Sequence, residues 1–135
     1  MTEPQSSGAA AFRQRLLRIH GTILTLVALA SSVATTFGRM TGDGPFGFMQ
    51  QSPLVWVMGA QAYLLMAIIA VLLILGSREA MTRKWHVVGA LAHCPPLIVA
   101  LSSLDVFAAM GVGGLVWVPI AFHFVFFSLE AFAAR

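Results

Sequence analysis

Four long apolar stretches divide the chain, and polar or charged residues collect between them. The stretches predict helices over residues 16–37, 53–76, 85–104 and 112–134. A helix needs about 20 apolar residues to cross the hydrocarbon core of a bilayer. Because a helix satisfies its own backbone hydrogen bonds in lipid, the pattern predicts an all-α integral membrane protein. The expected architecture is four transmembrane helices in an up-down antiparallel bundle.

Composition supports the membrane assignment. Hydrophobic residues make up 59% of the 135 residues and charged residues only 10%, whereas soluble domains carry about 25% charged residues. The net charge of +3 arises from few ionisable groups, so the sequence offers no basic face for nucleic acid. The lone cysteine excludes an internal disulfide and a cysteine-rich metal site. The lipid bilayer is the expected partner, and we expect no metal and no nucleic acid.

Basic residues lie almost entirely on one side of the predicted bundle. Arg39 alone falls in a connection on the other side. The remaining seven precede the first helix, join the second helix to the third, or end the chain: Arg13, Arg15, Arg18, Arg78, Arg83, Lys84 and Arg135. Basic residues favour the cytoplasmic side, so both termini are predicted to be cytoplasmic.

The same pattern predicts the domain organisation. Residues 1–15 are polar and small and are predicted to form a disordered cytoplasmic tail. Residues 16–135 are predicted to form a single membrane domain. The use of arginine over lysine, with abundant alanine and glycine, favours a bacterial inner membrane.

The start of the chain also imitates a secretory signal. Arginines at 13–18 precede an apolar run, and Ala28-Leu29-Ala30 matches a cleavage site. Cleavage would remove residues 1–30 and leave three helices. The basic residues of these helices and their connections would still follow the preference for the cytoplasmic side. The apolar run continues to Phe37, which a cleaved signal does not need, so an uncleaved helix is favoured.

The first predicted helix carries small residues on one face, with spacings that alternate between four and three. The face consists of Gly21, Thr25, Ala28, Ser32 and Thr35. Small side chains let helix backbones approach closely in lipid. This face is predicted to pack against another helix, either within the chain or in a homo-oligomer or larger membrane complex.

The last two predicted helices carry ionisable residues at matching spacings. His86 and His93 are seven residues apart, and so are His123 and Glu130. Both pairings across the hairpin, His93 with His123 and His86 with Glu130, are centred on Ala108. A hairpin that turns evenly there places His93 level with His123 near the midplane, and His86 level with Glu130 at the cytoplasmic edge. We call these four residues the His/Glu ladder.

The position of the turn decides this register. A loose connection across residues 104–111 gives the level pairs. A bend at residues 102–105, with Asp105 capping the fourth helix, slips the levels by about 13 Å. The second arrangement would require a helix of about 45 Å, longer than the bilayer core of about 30 Å. The loose connection is therefore favoured.

Further features surround the ladder. His20 lies near the cytoplasmic level on the first helix. Pro95 and Pro96 follow His93 closely, and Pro119 precedes His123 by four residues. Because proline removes an amide donor from a helix, kinks are expected at all three prolines.

These observations leave three functions open. Ionisable side chains inside a membrane are costly and suggest a role. A non-enzymatic accessory subunit or oligomeric bundle is favoured, in which the histidines stabilise helix packing and no cofactor is bound. The first alternative is a redox protein that binds haem b through His93 and His123, with Gly89 and Ala90 leaving room for the ring. The second is a small proton-coupled transporter that uses the ladder. No phosphate loop, nucleophile elbow or HExxH motif occurs, so an enzyme is not favoured.

Overall fold

The computed structural model describes residues 7–109, 111 and 113–135, and within these residues the secondary structure is helical, with no strand. The α-helices are α1 (Ser7–Thr41), α2 (Pro53–Gly76), α3 (Arg83–Ser102), α4 (Leu104–Ala109) and α5 (Trp117–Ala133). A 3-10 helix, Gly47–Gln50, lies between α1 and α2.

Three of the described helices, α1, α2 and α3, are long and apolar enough to cross a membrane. Helix α5 is apolar but has 17 residues, which gives a length of about 25 Å. The apolar pattern of the sequence predicts that this helix begins at residue 112. The structure begins it at Trp117 because Gly113 and Gly114 are poor helix formers and lie in turns.

Helix α1 is longer than the predicted helix at both ends. It begins at Ser7 rather than at residue 16, so residues 7–15 are helical and not a disordered tail. Alanines at 9–11 favour this extension because alanine has the highest helix propensity. The part of the predicted tail before Ser7 lies outside the described residues.

The chain divides into two compact units. One unit, called the α3–α5 unit, contains residues 1–17 and 76–135; the other, called the α1–α2 unit, contains residues 18–75. In the first unit α3 packs along α5. Residues Ala100, Val116 and Ile120 form a small apolar core there, and the side chain of Phe107 from α4 packs against it.

Basic side chains hold the C-terminal end of α5. The Nε–H of Arg13 donates to the carbonyl of Ala133 at 2.8 Å, and the Nε–H of Arg83 donates to the carbonyl of Ala134. The last carbonyls of a helix have no partner within it, and they favour a nearby cation. The bond from Arg13 attaches the first turns of α1 to the end of α5.

An ion pair at the surface joins the connection between α2 and α3 to the first turn of α3. The Nζ of Lys84 lies 2.7 Å from Oε2 of Glu79. The hydrogen bond from Lys84 lowers the pKa of the Glu79 carboxyl, because it favours the ionised form. Glu79 therefore remains negatively charged near neutral pH beside the basic residues of this connection.

In the α1–α2 unit, the two helices approach closely at Gly21. A Cβ atom on Gly21 would lie 2.7 Å from the carbonyl oxygen of Ala70 and 2.7 Å from Cγ1 of Ile74. Farther along the predicted small-residue face, Ala28 and Thr35 are buried. The absence of a side chain at Gly21 permits this contact of backbone with backbone.

The connection between α1 and α2 also packs on a glycine. A Cβ atom on Gly38 would lie 2.5 Å from the carbonyl carbon of Phe46. Gly42 has φ 78°, a left-handed conformation that favours glycine, and its amide donates to the carbonyl of Gly38 at 2.9 Å. Met49 is buried, so the connection is folded onto the end of α1.

We predict that Gly21→Ala destabilises the protein by about 1–3 kcal/mol, because the new methyl group forces α1 and α2 apart. The matched control is Gly8→Ala, the same change on the same helix, where a Cβ meets nothing within 4 Å. Alanine at that site should be neutral or stabilising by up to about 1 kcal/mol. Thermal unfolding in detergent measures both variants. Equal midpoints for the two would contradict the close approach.

Candidate functional site

Two pairs of ionisable side chains connect α3 to α5. His93 faces His123, and His86 faces Glu130, as expected for antiparallel helices centred on Ala108. His86, His93 and Glu130 are buried, and His123 is half-buried. The seven-residue separation places the two pairs about 10.5 Å apart along the helix axis. The predicted register of the hairpin is thus present, although the connection contains the short helix α4.

The two histidines of the upper pair are in direct contact. Nδ1 of His93 lies 2.8 Å from Nδ1 of His123, and their ring centroids are 5.1 Å apart. A hydrogen bond between two such nitrogens requires a proton on one and a lone pair on the other. The pair therefore cannot carry two imidazolium ions and keep this bond.

Two phenylalanines of α5 fix the orientation of the His93 ring. Phe126 stacks on His93 with centroids 5.8 Å apart and an interplanar angle of 24°. Phe122 approaches edge-on at 6.0 Å. His93 is only 2% exposed, so its ring has little freedom to rotate. His123 is the more accessible member of the pair.

The lower pair joins an imidazole to a carboxyl group. Nδ1 of His86 contacts Oε2 of Glu130, and both side chains are 0% exposed. The backbone of α3 makes room for this contact at Gly89, where a Cβ atom would lie 3.0 Å from Cδ of Glu130. A glycine one turn from His86 thus lets the carboxyl group lie against α3.

The second nitrogen of His86 is buried as well. Its Nε2 atom has no hydrogen-bond partner among the described residues. When Nδ1–H donates to the Glu130 carboxylate, Nε2 presents a lone pair. An unpaired lone pair is costly in a buried site, and a proton there would make the pair electrically neutral. This pair has the chemistry of a proton-binding site.

Phe126 separates the two levels. It lies between His123 and Glu130 on α5 and stacks on His93. The ladder therefore has two levels, each made of one hydrogen-bonded pair between α3 and α5.

The three prolines lie in different settings. Helix α3 continues through Pro95 and Pro96, which supply no amide hydrogens for the carbonyls of Leu91 and Ala92. Pro119 lies in the first turn of α5. Amides of the first turn have no partner within a helix, so proline is tolerated there. The kink expected at Pro119 is not required, because the helix begins later than predicted.

The pair does not fit a haem iron between His93 and His123. Two axial nitrogens on opposite sides of a haem iron lie about 4 Å apart, since each metal–nitrogen bond is about 2 Å long; here the facing Nδ1 atoms are 2.8 Å apart and bonded to each other. The space beside Gly89, considered for a flat ring, is filled by Glu130. No three His, Cys, Asp or Glu side chains that could hold a metal ion come together within the part of the chain that the structure describes.

The remaining predicted residues belong to α1. His20 is fully buried and belongs to the α1–α2 unit, whereas the ladder belongs to the α3–α5 unit. Thr25 donates its hydroxyl to the carbonyl of Gly21 at 2.8 Å, and Thr35 donates to that of Ser31 at 2.8 Å. These threonines satisfy their hydroxyl groups within α1, which suits them to an apolar setting.

Two residues of the site have roles that the sequence pattern does not predict. Gly89 provides space for Glu130 rather than for a ring, and Phe126 stacks on His93. Both have a signal in the sequence. Gly89 lies three residues after His86, and Phe126 lies three residues after His123, so each shares a helix face with its histidine.

We predict that Glu130→Ala lowers the free energy of unfolding by about 1–3 kcal/mol, because the Nδ1 of buried His86 loses its partner. Glu130→Gln should cost less, since an amide oxygen accepts the same hydrogen bond. Unfolding by sodium dodecyl sulfate in mixed micelles measures both.

The control for this series is Ser128→Ala. Ser128 is exposed on α5, and its hydroxyl donates to the carbonyl of Phe124 at 2.8 Å on the same helix. Its loss should change stability by no more than about 0.5 kcal/mol. A Glu130→Ala variant as stable as Ser128→Ala would show that the lower pair does not hold α3 to α5.

The geometry of the ladder is the basis for assigning a role. No protein-family model, curated protein or solved structure matches the chain. The observations to be explained are two hydrogen-bonded ionisable pairs between apolar helices, one of them with a buried nitrogen that lacks a partner.

Proposed function

We propose that the protein is a small proton-coupled membrane transporter in which the His/Glu ladder binds and releases the proton. The observation that carries the proposal is the stacking of two buried ionisable pairs between α3 and α5. Buried ionisable groups in transmembrane helices are costly, and they mark proton relays and ion pathways. Histidine suits this role because it exchanges a proton near neutral pH.

The His93–His123 pair moves one proton by exchanging roles. One ring donates its Nδ1–H to the bare Nδ1 of the other ring, whose own proton is on Nε2. A proton added to Nε2 of the donor lets the shared proton cross. The acceptor then loses its Nε2 proton. One proton enters and one leaves, and the two rings have exchanged donor and acceptor positions.

The His86–Glu130 pair stores a proton. A carboxylate with a neutral imidazole carries one negative charge, which is costly in an apolar site. One added proton makes the pair neutral while the Nδ1–Oε2 contact is kept. We infer that passage between the pairs is coupled to a movement of Phe126, which stacks on His93 and lies between His123 and Glu130 along α5. Transport of a second solute would be coupled to the same movement.

The proposed arrangement has four membrane spans, with both termini on the cytoplasmic side of a bacterial inner membrane. Its support is the charge distribution together with the bonds from Arg13 and Arg83 to the end of α5. These bonds bring the start of the chain, the α2–α3 connection and the C-terminus to one level. Turn residues preceding α5 supply the length that its 17 residues lack.

A second candidate is an accessory subunit without transport activity, the role that the sequence favours. The observation behind it is that both pairs bond α3 to α5 within the chain, which also suits a purely structural role. In that case, the ladder stabilises the helix pair and no proton crosses. The two candidates differ in whether proton flux occurs at all.

We predict that the purified protein in liposomes carries protons inward when a membrane potential is imposed, as measured by an enclosed pH-sensitive dye. Glu130→Gln should lower the flux by at least about tenfold, because the amide cannot take up a proton. His123→Gln should do the same. Ser128→Ala, exposed on the same helix, should leave the flux unchanged.

The same samples separate transport from structure. Glu130→Gln keeps an acceptor for His86, so size-exclusion chromatography should show a folded protein with low flux. Flux from the unaltered protein no higher than from empty liposomes would reject the transporter and leave the accessory role. Unchanged flux in both ladder variants would reject the ladder as the pathway.

The topology is tested by labelling single cysteines with a membrane-impermeant maleimide in intact bacterial cells, on a Cys94→Ser background. We predict labelling at Gly44→Cys and Gly113→Cys, which lie in the two connections proposed to be external. Glu79→Cys and Arg135→Cys should react only after permeabilisation. Labelling of Arg135→Cys in intact cells would contradict a fourth span.

A further inference from the structure

An open cavity of about 550 Å³ lies at the end of the α1–α2 unit, remote in sequence from the ladder. It is lined by Thr36, Arg39 and Met40 of α1, Gln50 of the 3-10 helix and Trp56 of α2. Its volume lies within the range of about 300–1,000 Å³ that small-molecule sites occupy. Nothing in the proposed function uses these residues.

The polar groups of the cavity are mainly donors. Arg39 presents five N–H groups, and the one bond that it makes among the described residues, from Nη1 to the carbonyl of Gln50, is long at 3.3 Å. Thr36 adds a hydroxyl group to the lining. No acidic side chain is among the described residues that line the cavity.

The floor of the cavity is fixed by the folded connection. The side chain of Gln50 packs on Gly42, where a Cβ atom would lie 2.7 Å from Oε1. Gly47 lies so close to the carbonyl of Gly42 that no side chain fits there. These contacts hold the 3-10 helix against α1. The wall that Gln50 forms is therefore in place before a ligand arrives, which lowers the cost of binding.

We propose that this cavity binds a phosphate group, carried by an anionic phospholipid or by a free phosphate ester. The guanidinium group matches phosphate oxygens because it donates two parallel hydrogen bonds. Met40 and Trp56 give the cavity an apolar wall for the glycerol or acyl part. Arg39 is the only Arg or Lys in the sequence between positions 19 and 77, so the site depends on this one cation.

The experiment measures binding to the full-length protein in a neutral detergent by native mass spectrometry. The probes are dihexanoyl phosphatidylglycerol, glycerol phosphate and dihexanoyl phosphatidylcholine, whose own ammonium group balances its phosphate. We expect phosphatidylglycerol to bind and Arg39→Gln to weaken it at least about tenfold, as for the loss of a charged hydrogen bond. Arg39→Lys, which keeps the charge but loses the fork, should bind more weakly than the unaltered protein and more strongly than Arg39→Gln.

The control is Arg78→Gln, which removes the same charge from an exposed position outside the cavity and should change binding by less than about twofold. Glycerol phosphate that binds with the same dependence on Arg39 identifies a free phosphate ester as the ligand; binding of the lipid alone identifies a headgroup site. Equal effects of Arg39→Gln and Arg78→Gln, or none from either, overturn the proposal. Should Arg39→Gln not fold, the comparison of Arg39→Lys with the unaltered protein decides, and equal binding by these two overturns the site.

Discussion

Hydrogen bonding between ionisable side chains of α3 and α5 is the constraint on which the α3–α5 unit depends. An imidazole between apolar helices has no water to bond, so each nitrogen must find a partner on the facing helix or remain unsatisfied at a cost. The contacts of His93 with His123 and of His86 with Glu130 meet this requirement for the Nδ1 atoms at two levels, and Nε2 of His86 has no partner among the described residues. They fix the register of the helices, since a slip of one residue would separate both pairs. The contact of His86 with Glu130 also explains the glycine at position 89, because a Cβ atom there would crowd the Glu130 carboxyl group at 3.0 Å.

The two pairs differ in what a proton does to them. In the upper pair, an added proton makes a cation that the two rings share, and rotation of the rings is needed before a second proton can follow in the same direction. His93 is held by Phe122 and Phe126, so the half-buried His123 is the ring better able to rotate. In the lower pair, an added proton removes a charge. Binding is thus favoured at the Glu130 level, and release requires the upper pair or water to compete for the proton.

Sequence alone predicted three helices long and apolar enough to cross a membrane and the register of the ladder, because both depend on simple spacing. Equal seven-residue separations on two adjacent helices leave a single alignment in which both pairs meet, centred on Ala108. The helix ends were harder to predict. Helix α1 extends to Ser7 because alanines and the bond from Arg13 support it outside the apolar run, and α5 starts late because of glycine. Pro119 was expected to bend a helix that, in the structure, has only just begun. The 2.8 Å between the facing nitrogens of His93 and His123, which leaves no space for an iron ion between them in this arrangement, is a distance that spacing along a sequence does not specify.

The arginines show how the same residue type serves different purposes in one small apolar helical protein. Arg13 and Arg83 donate to carbonyls at the end of α5, where the unpaired carbonyls and the negative end of the helix dipole both favour a cation. Arg39 makes one long bond to a carbonyl, beside an open cavity with donors on its walls. Arg13 makes a closer bond to its carbonyl, at 2.8 Å, than Arg39 does at 3.3 Å. The long bond leaves most of the donors of Arg39 for an anion, and its place in the last turn of α1 puts them beside the cavity.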